Sequence, residues 1–374
     1  MSASAKLVLA DGTIYTGTTY AATGTVFGQL IFDTTMTGYQ HSLTNPANAN
    51  ALMVFTFPHI GNVGVNDADA ESDRYWPSGV ILRDPARTRS NWQSERSLDE
   101  DLTQAGVVGI AGIDTRSLTR HIRGSGHINA GIFTGTDATA TDDQLVSQVR
   151  NWQQPTTAQL LTSVTTDQAY EVTAEQPQAT VALVDLGVRQ TTITQLVERG
   201  MTVKIMPSSS SFEQLTAANV DGVVLSSGPG NPAEATDQIA LAAALLDARI
   251  PVLGIGLGHQ IIAAAFGYET TLMPQAHRGP NQPVFDIATG QTLITNQNHV
   301  YAVEAPMGTH PAPHADYGEV TVAQYSLNDQ SVEGLKAVDL PVLTVQYYPE
   351  NTALTADEPH AIFDEFMTLL ATGK

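Results

Sequence analysis

The stretch "PVLGIGLGHQIIAAAFG" (residues 251–267) decides the fold of the second half of the chain. An apolar run that stops at a glycine-rich turn and continues with helical periodicity predicts a buried strand, a sharp turn and a helix. Some enzymes hold a nucleophile in such a turn, in a strained conformation beside backbone N–H donors. The central residue here is Gly256, which has no side chain. The stretch therefore predicts an active-site turn without a nucleophile.

Predicted strands and helices alternate on both sides of this stretch, from residue 179 to the end of the chain. The predicted strands are "TVALVDLG" (180–187), "MTVKIMP" (201–207), "GVVLSS" (222–227) and "PVLGIG" (251–256). The predicted helices are "QTTITQLVERG" (190–200), "SFEQLTAANV" (211–220), "DQIALAAALLDA" (237–248), "HQIIAAAFG" (259–267) and "DEPHAIFDEFMTLLATG" (357–373). The last helix places a core face on one side, formed by Ile362, Phe363, Phe366, Leu369 and Leu370. Strands that are apolar throughout and alternate with helices predict an α/β domain with a mostly parallel sheet covered by helices.

The first 150 residues have a different pattern, that of a mixed β/α domain rich in strands. "KLVLADGTIYTG" (6–17) predicts a hairpin, because Asp-Gly separates two β-prone runs. "GIDTRSLTRHIRGSG" (112–126) predicts a helix with Asp114 as its N-cap and Gly124 after its end. Residues 151–178 lose periodicity and gather Gln, Thr and Pro, which is typical of a linker. The expected organisation is a domain at 1–150, a linker at 151–178 and a second domain at 179–374.

Composition excludes several classes of function. The chain has 17 Lys and Arg against 38 Asp and Glu, a net charge of −21, which argues against binding nucleic acid or an anionic membrane. It has no cysteine, which excludes disulfides, thiolate metal sites and thiol catalysis. The start lacks the apolar core of a signal peptide, and the longest apolar run, "IALAAALL" (239–246), is too short to span a bilayer. A cytoplasmic location is expected. No His, Asp or Glu group has metal-ligand spacing along the sequence, so no metal is expected.

Two glycine-rich turns follow predicted strands, "LSSGPGNP" (225–232) and "GIGLGHQ" (254–260). Active sites of such sheets lie at the carboxyl ends of the strands, and glycines there let backbone N–H groups approach a ligand or a developing oxyanion. Tight turns without a ligand are the alternative. A dinucleotide-binding fingerprint fits poorly, because its third glycine would stand at His259. A nucleophile elbow fits better, and "VQYYPEN" (345–351) supplies Tyr348 and Glu350 after another strand end, where a base and an acid are expected.

Together these motifs resemble the small, glutamine-hydrolysing subunit of carbamoyl-phosphate synthase, a class I glutamine amidotransferase family. The resemblance covers nearly the whole chain and includes strings specific to this subunit: "MTGYQ" (36–40), "FPHIGNVGVND" (57–67), "SNWQSERSL" (90–98) and "GVVGIAGIDTRSLTRHIR" (106–123). It implies that ammonia released from glutamine passes to a large subunit. That partner uses ATP, Mg²⁺ and bicarbonate to make carbamoyl phosphate for pyrimidine and arginine synthesis. No cofactor is implied for this chain itself.

The resemblance carries over most of the family's site. The triad's acid is matched by Glu350. The matching substrate positions, including the residue whose N–H completes the oxyanion hole, are Gly228, Gly230, Leu257, Gln260, Asn298 and Tyr301. His259 and His299 neighbour the pocket and are structural in the family pattern.

The departures fall in the same site. Gly256 replaces the nucleophilic cysteine and Tyr348 replaces the general-base histidine. Val300 replaces a glycine whose backbone contacts glutamine, and Ala47 replaces a serine of the first domain that contacts substrate. Glycine cannot form the thioester intermediate, and a phenol is a poor substitute for a neutral imidazole at pH 7. The side chain of Val300 also puts glutamine binding in question.

Three functions follow from this pattern. The first is a small subunit that has lost glutaminase activity and keeps a structural or regulatory role in an ammonia-using complex. The second is a working amidotransferase subunit with an unrecognised nucleophile, for which Ser226, Ser227 and Tyr348 are the candidates. The third is a non-enzymatic protein whose emptied pocket senses an amide. The matching first domain favours the first two, and the missing cysteine and histidine favour the first and third, so the first is preferred.

Overall fold

The structure, a computed structural model, describes residues 4–351 and 361–372. The chain divides into two compact units, Met1–Pro155 and Thr156–Lys374. The sequence predicted a linker at 151–178, but much of this segment has regular structure. Thr157–Val164 is a helix, and Tyr170–Val172 is a strand of the second unit's sheet. The helix was missed because its capping box, Thr156 with Gln159, introduces only two turns.

The first unit is built around a closed barrel of seven strands. The first unit as a whole has nine strands among its described residues: β1 (Ser4–Leu9), β2 (Ile14–Ala21), β3 (Thr25–Asp33), β4 (Ala51–Phe55), β5 (His59–Ile60), β6 (Gly79–Ile81), β7 (Asp84–Pro85), β8 (Val108–Ala111) and β9 (Asn129–Thr134). Its helices are α1 (Tyr39–Leu43), α2 (Leu98–Gln104), α3 (Thr115–Ser125) and α4 (Asp142–Asn151). The barrel order is β1-β2-β8-β6-β4-β3-β9, and β9 pairs again with β1, so this sheet has no open edge. β5 and β7 form a separate pair.

Helix α3 begins as the sequence predicts, since the Asp114 side chain accepts a hydrogen bond from the backbone N–H of Ser117. Its predicted end is wrong. The helix continues through Gly124 to Ser125, and Gly126 follows with a φ of 71°. A positive φ of this kind is what ends a helix, and glycine adopts it without a steric penalty.

The second unit contains an 11-stranded sheet. Its strands are β10 (Tyr170–Val172), β11 (Ala179–Asp185), β12 (Met201–Pro207), β13 (Gly222–Leu225), β14 (Val252–Ile255), β15 (Glu269–Asp286), β16 (Thr292–Glu304), β17 (Thr309–Pro311), β18 (Glu319–Ser326), β19 (Val332–Ala337) and β20 (Val342–Val345). Its helices are α5 (Thr157–Val164), α6 (Gln190–Glu198), α7 (Phe212–Ala217), α8 (Thr236–Asp247), α9 (Leu257–Ala265) and α10 (Ala361–Thr372).

The predicted α/β fold of this unit is confirmed, and the parallel strands lie together. β12, β11, β13, β14 and β20 are consecutive neighbours in the sheet and pair in parallel. From β20 the sheet continues through β19, β16, β15, β18 and β17 with antiparallel pairing. No strands or helices were predicted from the sequence for this antiparallel part. Its long strands β15 and β16 alternate irregularly in burial, which gives a weak period-two pattern.

Helices cover the parallel strands on both faces, as predicted. On β11, Ala182 and Val184 face a core shared with α8 and α9, while Val181 and Leu183 face a core shared with α6 and α10. In α10, Phe363 and Phe366 are fully buried, and Ile362, Leu369 and Leu370 pack against them, so the predicted core face is confirmed. The predicted start of this helix, at residues 357–360, lies outside the described residues. Among the helices of the described ranges, none combines the length and the apolar character needed to cross a membrane.

Candidate active site at the carboxyl edge of the parallel strands

The predicted turns converge at the ends of adjacent parallel strands. Ile255 and Val345 are the last paired residues of β14 and β20. The N–H of Gly256 donates to the carbonyl of Val345 at 2.9 Å, so the glycine turn and the "QYYPE" segment begin side by side. The turn after β13 joins the same edge, because Gly258 N–H donates to the carbonyl of Ser226 at 3.1 Å.

The backbone at Gly256 has the strained conformation of a nucleophile elbow. Its φ is 58° and its ψ is −110°, a combination that side chains rarely adopt. A Cβ atom built at this position would lie 3.1 Å from the Cβ of Ser227. Leu257 begins α9, so its N–H is among those that have no carbonyl partner within the helix. The backbone has the elbow conformation and the helix start offers an N–H beside it, where the sequence predicted an oxyanion hole, but Gly256 supplies no side chain.

Glu350, at the position of the triad acid, is held by residues of α6 and the turn before it. Its Oε1 accepts from Arg189 Nη1 at 3.0 Å and from Thr192 Oγ1 at 2.8 Å. Both side chains of the ion pair are almost fully buried, with 2% of Arg189 and 1% of Glu350 exposed. The Arg189 guanidinium also lies over the ring of Tyr348, 4.5 Å from its centroid. The acid and the residue at the base position are therefore joined through a buried arginine.

Sequence reasoning missed Arg189. It lies two residues after Gly187, the last residue of the strand "TVALVDLG", which puts it at the edge where the site was expected. The signal that could have found it is the arginine itself. A charged side chain buried at the end of an apolar strand needs a partner of opposite charge, so Arg189 predicts a buried acid nearby.

Gly228 and Gly230, which were predicted to contact substrate, each have a packing role. A Cβ at Gly228 would lie 2.0 Å from the carbonyl oxygen of Leu186. Gly230 has a φ of 116°, and a Cβ there would approach Thr157 Cγ2 to 2.7 Å. The close packing of this turn is enough to require both glycines, with or without a ligand.

The predicted amide residues lie at the same edge and contact their neighbours. Gln260 Nε2 donates to the carbonyl of Tyr301 and to Gln346 Oε1, both at 2.8 Å. Asn298 Nδ2 donates to the hydroxyl of Tyr348 at 3.3 Å, and its Oδ1 accepts from the Arg278 guanidinium. Tyr301 and Val300 are both half-buried on β16. The side chain of Tyr348 thus contacts an amide that the sequence predicted to bind substrate.

Ala47 belongs to the first unit. It lies in the short 3-10 turn Pro46–Asn48, where its N–H donates to the Asn45 side chain at 3.0 Å.

The hydroxyl of Ser226 is occupied by backbone groups. Its Oγ accepts from the N–H of Leu186 at 2.9 Å and donates to the carbonyl of Ser227 at 3.0 Å. These contacts tie the end of β13 to the end of β11. A nucleophilic serine gives its proton to a base, whereas this proton is held by a carbonyl.

His259 is fully buried in α9, with its Nδ1 2.7 Å from Thr344 Oγ1. Burial lowers its pKa to about 3, so the ring is neutral at pH 7. His299 is also buried, and burial together with the charge of His277 lowers its pKa to about 3. His299 Nδ1 lies 2.8 Å from the carbonyl of Tyr301.

The fold assembles a group that ligand spacing along the sequence could not reveal. His277, His299 and Glu333 are buried together, with potential ligand atoms within 4.8 Å of one another. His277 and His299 face each other across the consecutive strands β15 and β16, and Glu333 comes from β19. Burial opposes the charged form of His277, but the carboxylates of Glu333 and Asp329 outweigh it and raise its pKa. No metal was expected, because ligand residues were sought only at short spacings along the sequence. The residues of this group are not at such spacings.

Family models match both halves of the chain. Residues 7–132 match "Carbamoyl-phosphate synthase small chain, CPSase domain", and residues 182–369 match "Glutamine amidotransferase class-I". A carbamoyl phosphate synthase small chain of Streptomyces avermitilis is 44% identical over 367 residues, 98% of this chain and 96% of the relative. One of Bifidobacterium longum is 43% identical over 382 residues, 98% of this chain and 94% of the relative. A solved glutamine amidotransferase of Thermotoga maritima, 13% identical, covers 51% of this chain and 95% of its own with a TM-score of 0.37.

The relatives align along nearly the whole chain, and the second unit has the strand-end turns that the motifs predicted. The resemblance drawn from the sequence is confirmed: the chain belongs to the carbamoyl-phosphate synthase small chain family, with a class I glutamine amidotransferase domain as its second half.

Proposed function

We propose that this chain is a carbamoyl-phosphate synthase small subunit that no longer hydrolyses glutamine and serves a large subunit that uses free ammonia. The observation that carries the proposal is the elbow between β14 and α9, where Gly256 keeps the strained backbone of a nucleophile but has no side chain. Glutamine hydrolysis in the family needs a thiolate at this point. Loss of the nucleophile from a hydrolytic triad costs about 10⁶ in turnover, or roughly 8 kcal/mol in activation free energy.

The other triad positions support the same conclusion. A general base must take a proton from the nucleophile and later return it to the leaving group, which a neutral imidazole does well at pH 7. A phenol ionises only near pH 10. The acid that would orient the base is bound to Arg189 and Thr192 instead. These contacts give the site a stable arrangement in the absence of catalysis.

The two alternatives have less support. A replacement nucleophile would have to come from this edge, and the Ser226 hydroxyl is committed to the backbone of neighbouring strands. An amide sensor would need the substrate amides, but Gln260 and Asn298 both contact residues of their own pocket. Loss of hydrolysis with retention of the partner is therefore preferred over both.

The partner we propose is a synthase large subunit in the cytoplasm, which supplies ATP, Mg²⁺ and bicarbonate chemistry for pyrimidine or arginine synthesis. The support is the match of the first unit over residues 7–132 to the domain specific to this small chain. The role left to the small subunit is to stabilise the large subunit or to control the access of ammonia to it.

The test is carbamoyl phosphate synthesis by the chain together with its cognate large subunit. We expect synthesis with ammonium and a rate with glutamine at least about 10³-fold lower, because the nucleophile is absent. The large subunit alone, supplied with ammonium, is the control that reveals what the small subunit contributes.

A glutamine-dependent rate within tenfold of the ammonium rate would overturn the proposal. Calorimetry with glutamine and the isolated chain adds a second result. Tight binding without hydrolysis, combined with no effect on the large subunit, would favour the amide sensor.

A further inference from the structure

The antiparallel part of the second unit's sheet contains a buried group of metal-type ligands that the proposed function does not use. His277 lies on β15, His299 and Gln297 on β16, and Glu333 on β19. All four are buried, and Glu333 is 0% exposed. We propose that these four side chains bind a first-row divalent cation, with Zn²⁺ as the best fit, and that the ion joins the three strands.

The separations between ligand atoms suit a four-coordinate ion. Glu333 Oε1 lies 3.4 Å from His277 Nδ1 and 3.7 Å from His299 Nε2. Zn²⁺ bonds of about 2.0–2.1 Å in a tetrahedron place neighbouring ligand atoms about 3.4 Å apart. The third separation, between the ligand nitrogens of His277 and His299, lies within 4.8 Å, so the two rings would approach each other by up to about 1 Å to surround an ion. Gln297 Oε1, 3.1 Å from His299 Nε2, is the oxygen that we assign as the fourth ligand.

Each histidine uses its other ring nitrogen in the way that metal-binding histidines do. His277 Nε2 lies 2.9 Å from Asp329 Oδ2, and His299 Nδ1 lies 2.8 Å from the carbonyl of Tyr301. A carboxylate or a backbone carbonyl on the far nitrogen fixes the ring orientation and the tautomer, and it leaves the near nitrogen with a lone pair for the metal. Both near nitrogens point into the group.

The hydrogen bonds within the group are incomplete without an ion. His277 Nδ1 is buried and makes no hydrogen bond to any described residue. A neutral His299 that donates from Nδ1 to Tyr301 has no proton on Nε2 to give to Gln297 Oε1. Rotating the Gln297 amide would not help, because its Nε2 already donates to Glu333 Oε2 at 2.9 Å. A cation among these atoms converts opposed lone pairs into ligand bonds.

The donor set identifies the class of ion and its role. Two imidazoles with a carboxylate and an amide oxygen suit Zn²⁺ and its first-row neighbours better than Ca²⁺ or Mg²⁺, which prefer oxygen ligands alone. A site closed by four protein ligands is structural. It would hold β16 at the point where Asn298, Val300 and Tyr301 line the active-site edge. This inference does not depend on whether glutamine is hydrolysed.

The test measures metal binding directly on the full chain, purified without a histidine tag and stripped with a chelator. Titration with ZnCl₂ in competition with a chromogenic chelator is expected to give one tightly bound Zn²⁺ per chain. The variants His277→Gln and Glu333→Gln should each weaken this binding by at least about 100-fold. Asp329→Asn changes a partly exposed residue that contacts the far nitrogen of His277 and Ser331 but is not one of the proposed ligands, so the expected loss is about 10- to 100-fold.

A matched control is His310→Gln. His310 is a histidine of the same sheet whose Nε2 lies 2.9 Å from the Tyr268 hydroxyl, outside the group, so this variant should keep the wild-type affinity.

Co²⁺ in place of Zn²⁺ should give the intense visible bands of a tetrahedral site, and these bands should disappear in Glu333→Gln. Circular dichroism confirms that the compared variants are folded. The proposal is overturned if the wild type binds no Zn²⁺ more tightly than the His277→Gln variant, or if Asp329→Asn and Glu333→Gln both leave affinity and spectrum unchanged.

Discussion

At the scale of single residues, Gly256 occupies the turn from which we propose that a catalytic side chain has been lost. The elbow conformation is set by the strand before it and the helix after it, because Gly256 N–H is bound to Val345 and α9 begins at the next residue. A side chain there stores strain, and glycine releases it. The neighbouring Ser227 now lies where a new Cβ would make a tight contact. The loss of function that we propose at this site would thus be accompanied by relief of backbone strain.

We expect Gly256→Ala to destabilise the chain by about 2–3 kcal/mol, because a side chain there adopts a strained φ and ψ and meets Ser227. Gly290 is the matched control, since it also has a positive φ, 69°, but a Cβ built there would meet nothing within 4 Å. Gly290→Ala should cost only about 1 kcal/mol. Urea unfolding midpoints measure both.

A double-mutant cycle separates strain from contact. Ser227→Gly removes the Cβ that a side chain at 256 would meet, so it should be less harmful in the Gly256→Ala background, with a coupling of about 1 kcal/mol. Equal losses of unfolding free energy for the Gly256 and Gly290 variants, with no coupling to Ser227, would contradict the conclusion that Ser227 makes a tight contact with a side chain at position 256.

At the scale of elements, the C-terminal helix α10 shows a sequence pattern that translates directly into packing. Phe366 is fully buried, and a Cβ built at Gly222 of β13 would lie 3.3 Å from its ring. We expect Phe366→Ala to lower the free energy of unfolding by about 3–5 kcal/mol, because the surrounding strands cannot collapse into the cavity. On the same helix, Glu365 forms an exposed ion pair with Lys336. Glu365→Ala should change stability by no more than about 1 kcal/mol in denaturant unfolding. Comparable losses for the two variants would mean that α10 is not part of the folded core.

The elements that could be predicted from the sequence are those in which apolar residues recur with a clear helical or strand pattern. The strands β11 to β14 and the helices between them were predicted to within a few residues, because the strands are mainly apolar and the helices between them carry apolar residues that face the sheet. The sheet beyond β20 was not predicted, since β15 has a mixed burial pattern with register shifts at Leu272/His277 and Gly279/Gln282. Such irregularities break the alternation on which strand prediction depends.

The residues of the candidate site also fall into those that could be predicted from the sequence and those that could not. Gly256, Tyr348 and Glu350 could be found because each follows a predictable strand. The Arg189–Glu350 pair could not, since its members are distant in sequence, and the His277–His299–Glu333 group could not, since the strands β15 and β16 that bring its histidines together were not predicted. Sequence spacing predicts local geometry, whereas buried charge pairs are a property of the tertiary fold.

At the scale of the whole molecule, a buried neutral histidine links stability to pH. Burial of His259 lowers its pKa from 6.5 to about 3. Between these values the unfolded chain binds a proton that the folded chain does not, so acid favours unfolding. The stabilising effect is complete above about pH 6.5 and is lost as the pH falls. The slope approaches about 1.4 kcal/mol per pH unit, which amounts to about 2 kcal/mol at pH 5.

The variant His259→Gln removes this titration, so we expect its unfolding free energy to fall less steeply than that of the wild type between pH 6.5 and 4.5. Carboxylates contribute to the acid sensitivity of both proteins and cancel in the comparison, which isolates the one buried ring. His314→Gln serves as the control, because it makes the same substitution at a histidine that is exposed in the folded chain. Urea unfolding at several pH values measures the slopes. A His259→Gln profile that is parallel to the wild type would mean that His259 is protonated in the folded chain, and that α9 and the elbow it supports are open to water.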